Sequence, residues 1–182
     1  LVHHEVENGL QVVSDGEFGR SWWHLDFLWN LTGFEAYQQE DSYKFHGAKT
    51  RTTNVRINGK IAENPNHPFY RDFEYLKSVT PEGITPKVTI PSPSLIINRD
   101  HRSDLYADYY DSWTDFLDDL AKAYHDTIQH FYDLGARYVQ LDDTTWGYLI
   151  QQFENEKNNP EKTAELAKIA EDDVYTINKA LE

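Results

Sequence analysis

Three short, apolar, β-branched runs, each stopped by acidic residues or proline, constrain the fold of this chain more than any other feature. Gly9-Leu10-Gln11-Val12-Val13-Ser14 leads into Asp15-Gly16-Glu17, and Thr85-Pro86-Lys87-Val88-Thr89-Ile90 is stopped by Pro91 and Pro93. Ala136-Arg137-Tyr138-Val139-Gln140-Leu141 ends in Asp142-Asp143. Runs of this length and composition, bounded by turn formers, read as buried strands with polar side chains at their exits.

Helical patterns separate them. Trp113, Phe116, Leu117, Leu120, Tyr124, Ile128 and Phe131 recur at helical spacing, and Gly135 stands where a C-terminal cap glycine belongs. A second long helix follows Asn159-Pro160, with Leu166, Ile169, Ala170, Val174, Ile177 and Leu181 on one face and proline in the first turn. A shorter helix is expected from Pro68 to Ser78. Residues 43–61 differ: Thr52, Thr53, Val55 and Ile57 favour strand and Asn58-Gly59 is a turn signal, so an extended or hairpin excursion leading into another strand is expected there. Strands alternating with helices imply βα units on a parallel sheet, either doubly wound or closed as a barrel. No linker divides residues 1–182, which are read as one domain.

Composition narrows the partners. Hydrophobic residues make up 39% of the 182 positions, enough for a core, while 31 acidic against 17 basic side chains give a net charge of −14. Such a surface disfavours nucleic acid and anionic membranes. No run of about 18 apolar residues and no signal peptide is present, so a cytoplasmic location is expected. The sequence contains neither cysteine nor methionine. The first absence excludes thiolate metal ligands within this chain, and the second is expected of a piece of a longer protein.

On the C-terminal face of a parallel barrel, Asp15, Glu17, Asp142 and Asp143 would converge from different strands. The competing reading makes Asp15-Gly16 a turn and Asp142 or Asp143 a helix cap. Arg20, Ser21, Trp22, Trp23 and His24 follow Glu17, and paired indoles suit a flat ligand, although one of them is expected to pack inward. From Ser42 to Ala62 there is no acidic residue, while Lys44, Lys49, Arg51, Arg56 and Lys60 all lie there. Arg51, between threonines, suits a carboxylate or phosphate; a solvated strand edge is the plainer alternative.

The strings Val13-Ser14-Asp15-Gly16-Glu17-Phe18-Gly19-Arg20, Pro86-Lys87-Val88-Thr89-Ile90 and Tyr138-Val139-Gln140-Leu141-Asp142-Asp143, in that order, resemble the catalytic barrel of cobalamin-independent methionine synthase. The short single-barrel homologues are nearest, through Arg20-Ser21-Trp22-Trp23-His24 and Asp142-Asp143-Thr144-Thr145-Trp146-Gly147. The resemblance implies a partial (β/α)8 TIM-type barrel, roughly the second to fifth βα units. It implies a methyltransferase of methionine biosynthesis that passes a methyl group from poly-glutamylated 5-methyltetrahydrofolate to homocysteine.

By the resemblance, Glu17 and Asp142 match residues that hold homocysteine, and Thr50 and Arg51 match residues that contact the folate. Trp22, Trp23, His24 and Trp146 fall at the pocket. Zinc would belong to the complete protein, with its ligands outside this chain, so no metal ligand and no catalytic residue is assigned here and the piece alone is expected to be inactive. Asp15, Thr144 and Pro93 depart from the family's histidine, proline and folate-stacking tryptophan. Two alternatives stand beside this: a glycoside hydrolase using the strand-end carboxylates with Trp22 and Trp146, and a non-catalytic barrel paralogue.

Overall fold

The computed structural model describes residues 1–39, 44–45, 48–49, 51–98 and 106–182, without the side chains of 44–45 and 48–49. Helix α1 (Val2–Glu7) precedes strand β1 (Val12–Val13), and helix α2 (Leu25–Leu28) follows. Next come β2 (Thr32–Gln38), β3 (Lys44–Phe45), β4 (Ala48–Lys49), β5 (Thr53–Ala62) and helix α3 (Pro68–Val79). Strands β6 (Thr85–Pro86) and β7 (Val88–Pro91) lead to the short helix α4 (Ser94–Ile97). The chain continues through α5 (Trp113–Asp133), β8 (Val139–Asp142), α6 (Thr145–Asn155) and α7 (Pro160–Ala180).

The result is a mixed α/β fold with four two-stranded sheets among the described residues. Two are parallel, β1 with β6 and β7 with β8. The segment 85–91 changes partner midway. Thr85 and Lys87 donate their N–H groups to Gln11 O and Val13 O at 2.9 and 2.8 Å, whereas Val88 N–H goes to Tyr138 O at 3.1 Å. Ser92 N–H then closes on Asp142 O at 2.8 Å. Main-chain polar groups inside a protein must be paired, and this segment is paired on both edges. The first and third expected strands are thus shorter than their apolar runs, and the second is split at Lys87.

Alternation gives these strands two different faces. Val88 and Ile90 point into the core, where partly buried Val139 and Leu141 join them, and Lys87, Thr89, Gln140 and Asp142 lie on the opposite side. Against the apolar face lie Phe116, Leu120, Tyr124 and Phe131 of α5, all fully buried. Phe27 meets both Phe69 and Tyr124 with ring centroids 5.7 and 5.6 Å apart. Each such aromatic side chain contributes on the order of 2 kcal/mol by burial.

Helix α5 begins where Ser112 accepts from Asp115 N–H and in turn donates to the Asp115 carboxylate, satisfying the first turn. It ends at Gly135, with φ +101°, while Ala136 N–H returns to Phe131 O and Gly135 N–H to Tyr132 O. This is the left-handed cap expected of a glycine there.

Two expectations need correction. Asn58-Gly59 does not turn the chain; β5 runs through it, antiparallel to β2, and the register slips from Phe34↔Ile57 to Thr32↔Ala62. The extra residues form a bulge against Gly33, whose φ is +85° and whose missing Cβ would strike the Lys60 carbonyl. The turn signal is spent on that bulge, and β3 pairs with β4 between the two long strands.

Helix α7 follows Asn159-Pro160 as expected but buries only part of the apolar face. Val174 and Leu181 are 46% and 64% exposed, while Asp172, Asp173 and Thr176 are buried with Leu166 and Ala180. Polar partners explain the substitution for Asp172, which accepts from Trp113 Nε1 at 2.9 Å and from Lys168 Nζ at 2.6 Å. Among the described residues no helix is long and apolar enough to cross a membrane.

His67 supplies the N-terminal cap of α3 and is almost fully buried. Its Nε2–H donates to Phe27 O at 3.0 Å and its Nδ1 accepts from Phe69 N–H at 3.3 Å, so the ring is held neutral in one tautomer. Burial pulls its pKa down from 6.5 to about 4. The folded pKa lies below the unfolded one, so the stabilisation, about 3 kcal/mol, is complete above pH 6.5 and is lost as pH falls toward 4. Comparison of urea unfolding for the parent and His67→Gln should show their difference in stability shrinking over that interval; a constant difference would refute the assignment.

Candidate functional site

The exit of β1 is a strained turn. Gly16 and Glu17 are both left-handed, at φ +63° and +59°, and the Glu17 N–H donates to Asp15 Oδ1 at 2.9 Å. A left-handed glutamate is uncommon and needs surrounding contacts to hold it. Those contacts come from Arg20 and Thr89, the second of them 72 residues away in sequence. Thr89 Oγ1 donates to Glu17 Oε1 at 2.8 Å, and Arg20 Nη1 donates to the same oxygen at 3.1 Å. Glu17 Oε2 makes no hydrogen bond among the described residues, and the side chain keeps 32% of its exposure.

Arg20 is the hub. Its guanidinium, 5% exposed, also donates to Trp23 O at 3.2 Å, to Thr89 O at 2.6 Å and to Thr89 Oγ1 at 3.2 Å. One face lies 4.3 Å from the centre of the Phe69 ring. A planar fork with five donors suits such a position, and an ammonium does not. Beneath it runs a narrow cavity bordered by Asp15, Arg20, Phe69, Asp72 and Lys87.

Asp142 ends β8, opposite Pro91 in register, and its Oδ1 accepts from Gln140 Nε2 at 2.6 Å. Gln140 Oε1 in turn accepts from Lys87 Nζ at 3.1 Å. The polar sides of the strands thus carry two linked sets: Glu17, Arg20 and Thr89, then Lys87, Gln140 and Asp142. Alternation along the strands was the signal that would have found Lys87, Thr89 and Gln140. Asp15 and Asp143 follow the plainer readings, the first holding a turn and the second accepting Thr145 N–H at 2.7 Å at the start of α6.

The aromatic cluster divides. Trp22 packs against the core, and its buried indole N–H has no hydrogen-bond partner among the described residues. Trp23 lies 4.8 Å from His24, which precedes α2. Trp146 is 38% exposed on the first turn of α6. Arg51 is exposed, and its Nη1 donates to Ser21 Oγ, which brings the basic excursion to the segment behind Glu17. Arg56 is engaged by Glu35 at 2.6 Å and Lys60 lies 3.9 Å above the Tyr110 ring, so neither is a free anion contact. Thr50 lies outside the described residues, as do the side chains of Lys44 and Lys49.

No protein-family profile matches the chain. It is 41% identical over 153 residues to the uncharacterized protein YxjG of Bacillus subtilis, covering 84% of this chain and 39% of that protein. It is 29% identical over 143 residues to the methionine synthase of Sulfolobus acidocaldarius, again covering 39% of it. The chain therefore spans about two fifths of the curated relatives it matches.

Among solved structures, one from Listeria monocytogenes, described provisionally as a vitamin-B12-independent methionine synthase, is 37% identical with a TM-score of 0.72. The match covers 99% of this chain and 47% of that one. A B12-independent methionine synthase from Shewanella, solved with selenomethionine, shares the fold at 17% identity and a TM-score of 0.57, over 99% of this chain and 45% of that one.

Replacing Arg20 by Met should cost about 3 to 5 kcal/mol, because the left-handed Glu17 turn loses its cation and two main-chain carbonyls lose a donor. Chemical denaturation measures it. Stability within about 0.5 kcal/mol of the parent would show that Arg20 is not the hub.

Proposed function

We propose that this chain carries the substrate-facing part of a methyltransferase of the cobalamin-independent methionine synthase kind. In that reaction a methyl group passes from poly-glutamylated 5-methyltetrahydrofolate to the thiol of homocysteine, giving methionine. The reading is carried by the 37% identity, over nearly the whole chain, to the Listeria protein so described, with Glu17 and Asp142 both standing at strand exits. We further propose that β1, the 85–91 segment and β8 are neighbouring staves of a (β/α)8 barrel, whose C-terminal rim holds the site.

Each residue then has a task. Glu17, its Oε1 already fixed by Arg20 and Thr89, turns Oε2 to the ammonium group of the amino acid, and Asp142 approaches the same group from β8. Charge-assisted hydrogen bonds of this kind are worth about 1.5 to 3 kcal/mol each. Arg51, reaching Ser21, meets the glutamate carboxylates of the methyl donor through its planar fork. The Trp23 and His24 rings, which follow Ser21 in the chain, are assigned to the wall of the same pocket.

Zinc, when bound in such enzymes, keeps the homocysteine thiol deprotonated at neutral pH. The donors of this chain do not fit it. The sequence holds no cysteine, and among the described residues no group of three or more histidines, aspartates and glutamates is placed to hold a metal. The work assigned to these residues is binding and orientation.

Calorimetric titration with L-homocysteine and L-methionine tests the amino-acid site. Glu17→Gln should weaken binding about tenfold or more, matching the loss of a charged hydrogen bond; equal affinity would remove Glu17 from the site. In a parallel titration with tri-glutamyl methyltetrahydrofolate, Arg51→Lys should lower affinity several-fold while leaving amino-acid binding intact, and unaltered donor binding would reject the role of Arg51.

A further inference from the structure

The buried face of α7 holds a second carboxyl group beside the site. Asp173 is fully buried, and neither of its carboxyl oxygens meets an N–H or O–H donor in hydrogen-bonding geometry. The same is true of Asp143 Oδ2, whose companion Oδ1 caps α6 through Thr145 N–H. The two carboxyl groups are within hydrogen-bonding reach of each other. Two buried carboxylates cannot both stay ionised at such range without a cation between them.

Among the described residues the surroundings supply no cation. From α5, Tyr124 is the titratable group that faces the pair, fully buried and neutral, with its hydroxyl donated to Pro91 O at 2.8 Å. From α6 the Trp146 indole acts on Asp173 without completing a hydrogen bond. Helix α4, also packed on α7, carries no ionisable side chain. On α7 itself, the adjacent Asp172 is bound to Trp113 and Lys168.

We infer that Asp143 and Asp173 hold one proton between them, and that this shared proton fastens α7 to the exit of β8 and so positions Asp142. A carboxylic acid donating to a carboxylate makes a short, strong hydrogen bond and satisfies one of the unpartnered oxygens on each group. Burial and the Asp143 charge raise the Asp173 pKa from 3.8 to about 7, in keeping with a proton retained near neutrality. The folded pKa is the higher of the two. The stabilisation is therefore complete below about pH 4 and is lost as pH rises toward 7.

Asp173→Asn keeps the shape and donates its amide to Asp143 at every pH. Unfolding equilibria of the full chain and this variant should be compared from pH 4 to 9, where the contribution of His67 is common to both and cancels. The ratio of folded to unfolded parent, relative to the variant, should fall roughly tenfold per pH unit between 4 and 7 and level off above, the signature of one proton. Difference infrared spectra should show a protonated carboxyl band in the parent that vanishes in the variant. Parallel pH profiles, or no such band, overturn the shared proton.

The positioning of Asp142 rests on the proposed amino-acid site and is read separately. L-Methionine affinity should weaken several-fold between pH 6 and 8 in the parent and stay level in Asp173→Asn. Level affinity in both proteins would show that the pair does not position Asp142. Absence of methionine binding at any pH, with the one-proton slope present, would reject the proposed function and the positioning role together while leaving the shared proton standing.

Discussion

The double-edged pairing of residues 85–91 is the constraint on which the rest of this structure depends. Its N–H groups serve β1 at one end and β8 at the other, so the exits carrying Glu17 and Asp142 are tied to a common ruler. Pleating then sorts the side chains. Val88 and Ile90 settle among the rings of α5, and Lys87 and Thr89 are left on the opposite face with the two exit carboxylates. One segment thereby fixes both where the core lies and where the polar chemistry lies.

How far this was legible from the sequence depended on the range of the interactions. Helix α5 was readable from the sequence, because an apolar stripe and a terminal glycine state the same thing locally. The face of α7 was not. Residue type alone puts Val174 inward and Asp173 outward, and the reverse arises from Trp113, Lys168 and Asp143, which lie on other turns and other elements. Asn58-Gly59 failed for a related reason: the dipeptide permits a reversal, but Gly33 opposite offers room for a bulge, and pairing of β2 with β5 continues past it. The candidate carboxylates were visible at strand ends. The grip of Thr89 on Glu17 and of Arg51 on Ser21 was not, since nothing local in either segment names its partner.

Charge in this molecule works by placement more than by sum. The net charge of −14 sets the character of the surface, yet the buried Arg20 guanidinium organises the β1 exit and, among the described residues, no cation accompanies the carboxyl pair at the β8 exit. Two buried groups then pull stability in opposite directions with pH. His67 favours the fold as protons become scarce, and Asp173 favours it as they become plentiful. Between about pH 4 and 6.5 their slopes have opposite sign and largely offset one another. A chain with both groups has a flatter acid limb than either would give alone.

The restraint on Glu17 has a kinetic and entropic side as well. Its backbone sits in a narrow left-handed well and one carboxyl oxygen is clamped by two donors, so its side chain has surrendered most of its rotamers before any partner arrives. Ordering a mobile glutamate on association would consume about 0.5 to 1.5 kcal/mol. A cationic group meeting this carboxylate encounters an acceptor already aimed, and the affinity that reaches the observer is correspondingly closer to the strength of the contact itself.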